Sequence, residues 1–263
     1  RELPPLPGFD LAAATFPADE VGGDIYDAQP TEFGSITVAV ADASGHGLPA
    51  ALQARDIITG LRMGMSRDFK LTATIRRLNR VINASGLSSR FVSLFFAEVE
   101  ESGNVIYVNC GHCPPLIVNA EGGVFELPST GPVLGPLPDM TYRRSFANLR
   151  PGEVLLIFSD GLTERKAATL PAAPAAPAAP AAPTAAAVPA VPAIPALPLG
   201  PAAAAAAGAH EPGDGEAAAE PEEFGIERLI AVCRQNIARP AAEILDAMLG
   251  AVHRHEGIAG LQH

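Results

Sequence analysis

Hydrophobic and polar positions follow two different periods along this chain, and the period switches three times. Phe9–Phe16 and Asp24–Ala28 read as short strands around a Pro-Ala-Asp-Glu-Val-Gly-Gly turn. Ser35–Asp42 (SITVAVAD) is rich in β-branched and small apolar residues, which predicts a buried strand. Ala43-Ser44-Gly45-His46-Gly47 breaks it. A helix then begins near Leu48 and Pro49, where an early Pro is tolerated. Its apolar residues Ala51, Leu52, Ile57, Ile58, Leu61 and Met65 fall near helical spacing. A second helix is predicted from Leu71 to Ser85, with Ile75, Leu78 and Ile82 on one face.

The period then shortens again. Phe91–Glu98, Val105–Asn109, Leu116–Asn119, Val124–Leu127, Thr141–Phe146 and Val154–Ser159 are strand candidates separated by Gly- and Pro-rich turns. Ser102-Gly103-Asn104 is a good hairpin turn. Two helices close the chain, Gly225–Ala238 and Pro240–His255. Helices grouped apart from a largely antiparallel strand system predict a layered α+β fold.

Composition changes this picture in one respect. The 48% hydrophobic content would allow a large core, yet there is no Trp and ten of the 26 Pro lie between Pro171 and Pro201. Residues 167–223 are Pro-Ala-Ala repeats, an Ala run and an acidic tract without Lys or Arg. This segment supplies six acids toward the net charge of −11. Its Pro part predicts stiff polyproline II character and its Ala run a transient helix, outside any packed core. Removing it leaves roughly 200 residues, one ordinary acidic domain.

Several classes are excluded. No basic patch follows a phosphate backbone, so no nucleic-acid partner is expected. No run of ~18 apolar residues escapes Pro and charge, so no membrane insertion by this segment is expected. No stretch with a basic start and an apolar middle reads as a signal peptide. Three Cys make no disulfide framework, and the odd count suits a reducing cytoplasm. The start at Arg1 suggests a piece of a longer protein, whose other parts are free to include a membrane tether.

Three acids stand out by placement. Asp24 follows Gly22-Gly23, Asp42 ends a predicted buried strand, and Asp160 ends another before Gly161. An Asp before Gly is ordinarily a turn or cap residue. Three carboxylates delivered by strand ends among small residues also suit a divalent cation, because clustered carboxylates repel and hard oxygen donors select Mg²⁺ or Mn²⁺. Spacing alone leaves both readings open.

The motifs themselves carry a resemblance. Pro17-Ala18-Asp19-Glu20-Val21-Gly22-Gly23-Asp24-Ile25-Tyr26-Asp27, Asp42-Ala43-Ser44-Gly45-His46-Gly47, Asn109-Cys110-Gly111-His112 and Phe158-Ser159-Asp160-Gly161-Leu162-Thr163-Glu164 are similar to the motif series of SpoIIE/RsbU-type serine phosphatases, bacterial members of the metal-dependent PPM family. The match spans residues 3–166, and Phe224-Gly225-Ile226-Glu227-Arg228-Leu229 resembles the start of that family's closing helices.

The resemblance implies a four-layer α-β-β-α sandwich, two antiparallel sheets flanked by helices. It implies two Mn²⁺ or Mg²⁺ ions, with Asp42 bridging both, Asp24 and the Ala43 carbonyl holding one, and Asp160 the other. A metal-bridged water would then attack phosphorus in line. Gly23, Gly45, His46, Gly47, His112 and Gly161 fall in the same motifs as supporting residues, and either His is placed to bond a water or donate a proton. The implied substrate is phosphoserine or phosphothreonine on a regulatory protein, in relatives an anti-anti-sigma factor of the STAS type. An upstream sensor or receiver domain, an oligomer and a cytoplasmic setting fit the same family. By the motifs, residues 1–166 and 224–263 form one domain interrupted by residues 167–223.

One departure is plain. The family's last ligand lies in an Asp-Asp-x-Thr motif on a final strand, and this chain ends at Gly260-Leu261-Gln262-His263 about where that motif begins. Truncation is the favoured reading, and a non-catalytic binding module with an incomplete metal site is the alternative. Other features are discounted. Cys110-Gly111-His112-Cys113 lacks the helix that activates a redox thiol, and two Cys are too few for zinc. Arg55, Arg62 and Arg90 are read as solvated surface residues rather than phosphate clamps. Tyr26 and Asp27 are read as packing or support for Asp24. The apolar stripes of the helices over residues 48–85 are explained by covering a sheet, although in relatives such helices also carry regulatory signals.

Overall fold

A computed structural model of the chain describes residues 3–16, 22–64, 71–85, 91–167 and 222–257. Two sheets are formed, both wholly antiparallel. The larger has the order β1-β2-β3-β4-β7, made of β1 (Ile25–Pro30), β2 (Ile36–Ala43), β3 (Val92–Val99), β4 (Asn104–Cys110) and β7 (Ser145–Asn148). The smaller has the order β6-β5-β8, made of β5 (Leu116–Val118), β6 (Val124–Glu126) and β8 (Val154–Leu156). The helices are α1 (Gly47–Gly64), α2 (Leu71–Ala84), the single turn α3 (Asp160–Thr163), α4 (Gly225–Asn236) and α5 (Ala241–His255).

Side-chain alternation along the strands builds three cores from these elements. On one face of β2 and β3, Ala39, Ala41, Leu94 and Phe96 meet Ile57, Leu61, Ile75 and Leu78 of α1 and α2. On the other face, Ile36, Phe95, Ala97, Val105 and Tyr107 meet Ile117, Leu155 and Ile157 of the second sheet. The outer face of that sheet offers Leu116, Val118 and Leu156 to Leu229, Cys233, Ile244 and Met248 of α4 and α5. The layers are therefore α-β-β-α, with the largest buried apolar cluster between the α1–α2 pair and the large sheet.

Two strand expectations need correction. Phe9–Phe16 forms no strand; only Leu6 and Phe9 share an isolated bridge. Leu6, Phe9 and Leu11 instead dock as side chains into the inter-sheet core, so their apolar spacing is used without ladder pairing. Thr141–Phe146 is displaced: β7 begins at Ser145, because Tyr142 turns into the helix-side core while Ala147 pairs with Val105. The Ser102-Gly103-Asn104 turn forms as expected, with Gly103 at φ +88°.

The described residues belong to one compact unit, Arg1–Ala168 with Glu222–His263. Residues 168–221, nearly all of the predicted Pro/Ala segment, lie outside the described residues. Its flanks are described. Lys166 and Glu223 form an antiparallel bridge, with the Ala167 N–H donating to the Glu222 carbonyl and the Phe224 N–H to the Arg165 carbonyl.

Candidate metal centre

Every second residue of β2 faces the second sheet, and Asp42 ends that row. In the β1–β2 register Ile25 opposes Ala41, so Asp24, the next residue outward, falls opposite Asp42. On its other side Asp42 is paired with Ser93 of β3. Asp24, Asp42 and Ser93 thus form a polar row across three strands at one end of the inter-sheet core. The second sheet reaches the same end. Ile157 packs into the inter-sheet core, and two residues on the Ser159 hydroxyl donates to Asp24 Oδ2 at 2.7 Å. Asp160 follows as the first residue of α3.

The electrostatics show that these carboxylates sense one another. Burial pushes the Asp42 carboxyl up to about 6, and the charges of Asp24 and Asp160 push in the same direction. A side-chain hydrogen bond with Asp24 raises it further. Asp160 is exposed, and its charge contributes less than that of Asp24. Among the described residues, no three His, Cys, Asp or Glu side chains are gathered closely enough to enclose an ion as they stand. The donor set nevertheless fits a hard divalent cation: carboxylate oxygens from three elements, on a site where negative charge is held at a cost.

The backbone around the cluster requires small residues. A Cβ on Gly23 would collide with the Ala43 carbonyl, and the Ala43 N–H donates to the Gly23 carbonyl at 3.3 Å. This close crossing leaves only Gly at position 23 and sets the Ala43 carbonyl beside Asp24. Gly45, at φ +98°, turns the chain sharply from β2 toward α1. Gly47 opens α1, and Gly161 lies against Asp24 Oδ2 and Ser159.

The two histidines part company. His46 is exposed in the turn before α1. His112 is 4% exposed. Its N–H donates to Asn109 Oδ1 at 2.9 Å and its Nδ1 shares a 2.7 Å hydrogen bond with Ser93 Oγ. Its Nε2 is buried. Burial pushes the ring pKa down, while the charges of Asp24 and Asp160 and a backbone hydrogen bond with Phe158 pull it back up. Ser93 escaped the sequence reading. Its only signal is its place opposite Asp42, which appears once β2 and β3 are paired in register.

Other expectations resolve as follows. Arg62 is not simply a solvated surface residue: its Nε and Nη2 donate to Asp27 Oδ2 and Oδ1 at 3.0 and 2.7 Å, over a carboxylate that is 6% exposed. Asp27 shares the helix-side face of β1 with Ile25, opposite to the carboxylate cluster, so it anchors α1 rather than supporting Asp24. Arg55 is exposed and lines, with Ile25, Tyr26, Ile58 and Arg62, a cavity of about 640 Å³ between β1 and α1. Arg90 lies outside the described residues. Cys110 is buried in the helix-side core, where burial drives its thiol pKa far up. Cys113 packs toward α4 and α5, and burial and the nearby Asp160 raise it as well. The two thiols serve different cores, and neither is activated.

Known proteins share this family and fold. The family model described as stage II sporulation protein E (SpoIIE) matches residues 33–187, a stretch that includes Asp42, His112 and Asp160 but begins after Asp24. Protein IcfG of Synechocystis sp. is 29% identical over 195 residues, covering 64% of this chain and 31% of that protein. Phosphoserine phosphatase RsbU of Bacillus subtilis is 29% identical over 165 residues, covering 62% of this chain and 49% of that protein. The chain therefore spans about a third to a half of the length of these curated relatives. Among solved structures, the SiaA-PP2C domain of Pseudomonas aeruginosa superposes with a TM-score of 0.62 at 18% identity, over 92% of this chain and 78% of that one. The two antiparallel sheets with flanking helices are a PP2C-type phosphatase fold, and the chain belongs to the SpoIIE family.

Proposed function

We propose that this domain is a metal-dependent protein phosphatase that hydrolyses phosphoserine or phosphothreonine on a regulatory protein. The observation that carries the reading is that Asp24, Asp42 and Asp160 lie toward one end of the inter-sheet core, where burial and then the charges of Asp24 and Asp160 raise the Asp42 carboxyl. Asp42 would bridge two Mn²⁺ or Mg²⁺ ions, Asp24 and the Ala43 carbonyl would hold one, and Asp160 the other. The ions supply Lewis-acid activation of water and neutralisation of phosphoryl charge. The chain's own part is positional. Ser159 bonds Asp24, the β1–β2 register aligns Asp24 with Asp42, and the close crossing at Gly23 packs the Ala43 carbonyl against the residue before Asp24.

The name of RsbU, a phosphoserine phosphatase, supports serine phosphate as the bond broken. The resemblance supports a STAS-type anti-anti-sigma factor as the substrate class and a cytoplasmic site of action. No described helix is long and apolar enough to cross a membrane. We further read residues 1–166 and 224–263 as one domain interrupted by residues 167–223, which the Lys166–Glu223 bridge supports. The test is Mn²⁺-dependent release of phosphate from a phosphoserine protein, with Asp42→Ala as control. Undiminished turnover in that variant would sink the mechanism.

One observation favours a second reading. The absence of a closed ligand set among the described residues fits a binding module that keeps the fold without turnover. Two Mn²⁺ bound per chain by calorimetry, together with phosphate release, would exclude it.

A further inference from the structure

We propose that Arg165 is the positioning residue for Asp160: its guanidinium ties the turn that carries Asp160 to the C-terminal end of α5, and this tie sets how firmly Asp160 holds a divalent cation. Arg165 takes this role on the metal-dependent phosphatase reading above, and deepens it by naming what holds the one acid that no strand carries. Asp42 lies within β2 and Asp24 directly precedes β1, so the ladder steadies both. Asp160 opens α3, a helix of one turn, and is exposed.

A single helical turn is not stable by itself. Three bonds close this one locally. The Leu162 N–H donates to the Ser159 carbonyl at 3.1 Å, and the Glu164 N–H donates to the Asp160 carbonyl at 2.9 Å. The Thr163 hydroxyl donates to the same Asp160 carbonyl at 3.2 Å. Arg165 adds the distant support. Its Nε donates to the Gly161 carbonyl at 2.9 Å, and its Nη1 to Glu256 Oε1 at 3.0 Å, 91 positions along the chain.

Both anchors are firm. The Glu256 side chain is 16% exposed and its residue ends α5, with its N–H donating to the Val252 carbonyl at 3.0 Å. The negative end of a helix also favours a guanidinium beside it. The Arg165 carbonyl accepts from the Phe224 N–H at 2.7 Å, so its backbone is held as well. A planar guanidinium presents its donors in fixed directions, and the two bonds together set the attitude of the turn.

The turn in question lies at the carboxylate cluster. A Cβ on Gly161 would come 3.7 Å from Asp24 Oδ2 and 3.8 Å from the Ser159 hydroxyl oxygen. Groups that orient a metal ligand from behind ordinarily change metal affinity by about 10–100-fold.

Calorimetric Mn²⁺ titration read beside melting curves tests the link. Asp160→Asn identifies the binding step that Asp160 supplies. Arg165→Ala should weaken that same step by about tenfold and leave the other within about twofold. Glu256→Gln, which keeps an acceptor without the charge, should weaken it less. The double variant should be no worse than Arg165→Ala, because both residues act through one link. Arg228→Ala is the control. Arg228 bonds the Glu223 and Phe224 carbonyls and Glu222 beside Arg165, but no group of α3 among the described residues. It should lower the melting temperature at unchanged Mn²⁺ affinity. Amide exchange in EDTA gives a readout without metal: the Leu162 and Glu164 amides should exchange about tenfold faster in Arg165→Ala. A lowered melting temperature with Mn²⁺ affinity kept would make Arg165 merely structural and overturn the proposal alone, as would unchanged exchange at those two amides. A wild-type chain that binds no Mn²⁺ would overturn the metal reading itself, and the proposal with it.

Discussion

The Ser159 hydroxyl donates to Asp24 Oδ2 at 2.7 Å, and this bond joins the end of the small sheet to the end of the large one. Asp24 precedes β1 and Ser159 follows β8, so the two residues are 135 positions apart in the chain. The bond sits at the rim of the inter-sheet core, where the apolar rows of Leu155 and Ile157 give way to polar groups. It fixes which oxygen of Asp24 remains available to the site. Ser159→Ala should therefore cost about 1 kcal/mol of stability, the usual worth of one such bond. It should weaken Mn²⁺ binding more than it weakens folding, read by calorimetry beside a denaturant melt. Unchanged Mn²⁺ affinity would show that Asp24 is oriented by other contacts.

Asp42 predicts a pH dependence for the metal-free protein. Its carboxyl is raised to about 6 in the folded chain, above its ordinary value, so the folded state holds the proton more tightly than the unfolded chain does. The stabilisation is complete below the ordinary carboxylate range and is lost as pH rises toward and through about 6. In EDTA, the wild type should lose stability across that window and Asp42→Asn should lack that component of the loss. Saturating Mn²⁺ should raise the wild-type melting temperature and leave Asp42→Asn nearly unmoved. Identical pH profiles for the two metal-free chains would contradict the coupling of Asp42 to its neighbours.

The Arg62–Asp27 pair separates buried from exposed ion pairing. Asp27 is 6% exposed and is gripped by two Arg62 nitrogens, whereas Arg80 and Asp139 meet in open solvent. Arg62→Ala removes the charged donors of a buried carboxylate and leaves it the Gln29 amide at 3.1 Å, so it should destabilise by about 2 kcal/mol, while Arg80→Ala should stay within about 0.5 kcal/mol. Arg62→Lys should not restore the loss, because one ammonium cannot reproduce the two-point contact. Equal urea midpoints for the two alanine variants would show that Asp27 finds another partner.

The Lys166–Glu223 bridge predicts that the segment between its strands is dispensable for folding, as the one-domain reading requires. Replacing residues 169–221 with a short Gly-Ser turn should keep the melting temperature within a few degrees, since the entropy of closing a connection depends only weakly on its length. Mn²⁺ affinity should also be kept. Loss of cooperative unfolding in the shortened chain would mean that the segment packs on the domain.

Much of the fold was legible in the residues because local period and turn chemistry are local properties. SITVAVAD could only be a buried strand, and the stripe through Ile75, Leu78 and Ile82 could only be a covering helix; β2 and α2 form where expected. The motifs around Asp24, Asp42 and Asp160 were likewise visible, since a carboxylate beside small residues at a strand end is written in the sequence. Phe9–Phe16 misled because apolar spacing records that side chains are buried without recording whether the backbone pairs.

What the sequence by itself determined was therefore the layered α+β class, the α and β periods and the identity of the acidic candidates. Only the tertiary structure decided which groups face one another. Register places Asp24 and Ser93 on either side of Asp42, alternation sends Asp27 to the opposite face with Arg62, and closure of the sheets brings Ser159 to Asp24. The physical reason is that hydrogen bonds and carboxylate coupling act over a few ångströms in space. The residues that share them here lie 18 to 135 positions apart in the chain, and no local pattern records which of them the ladder will bring together.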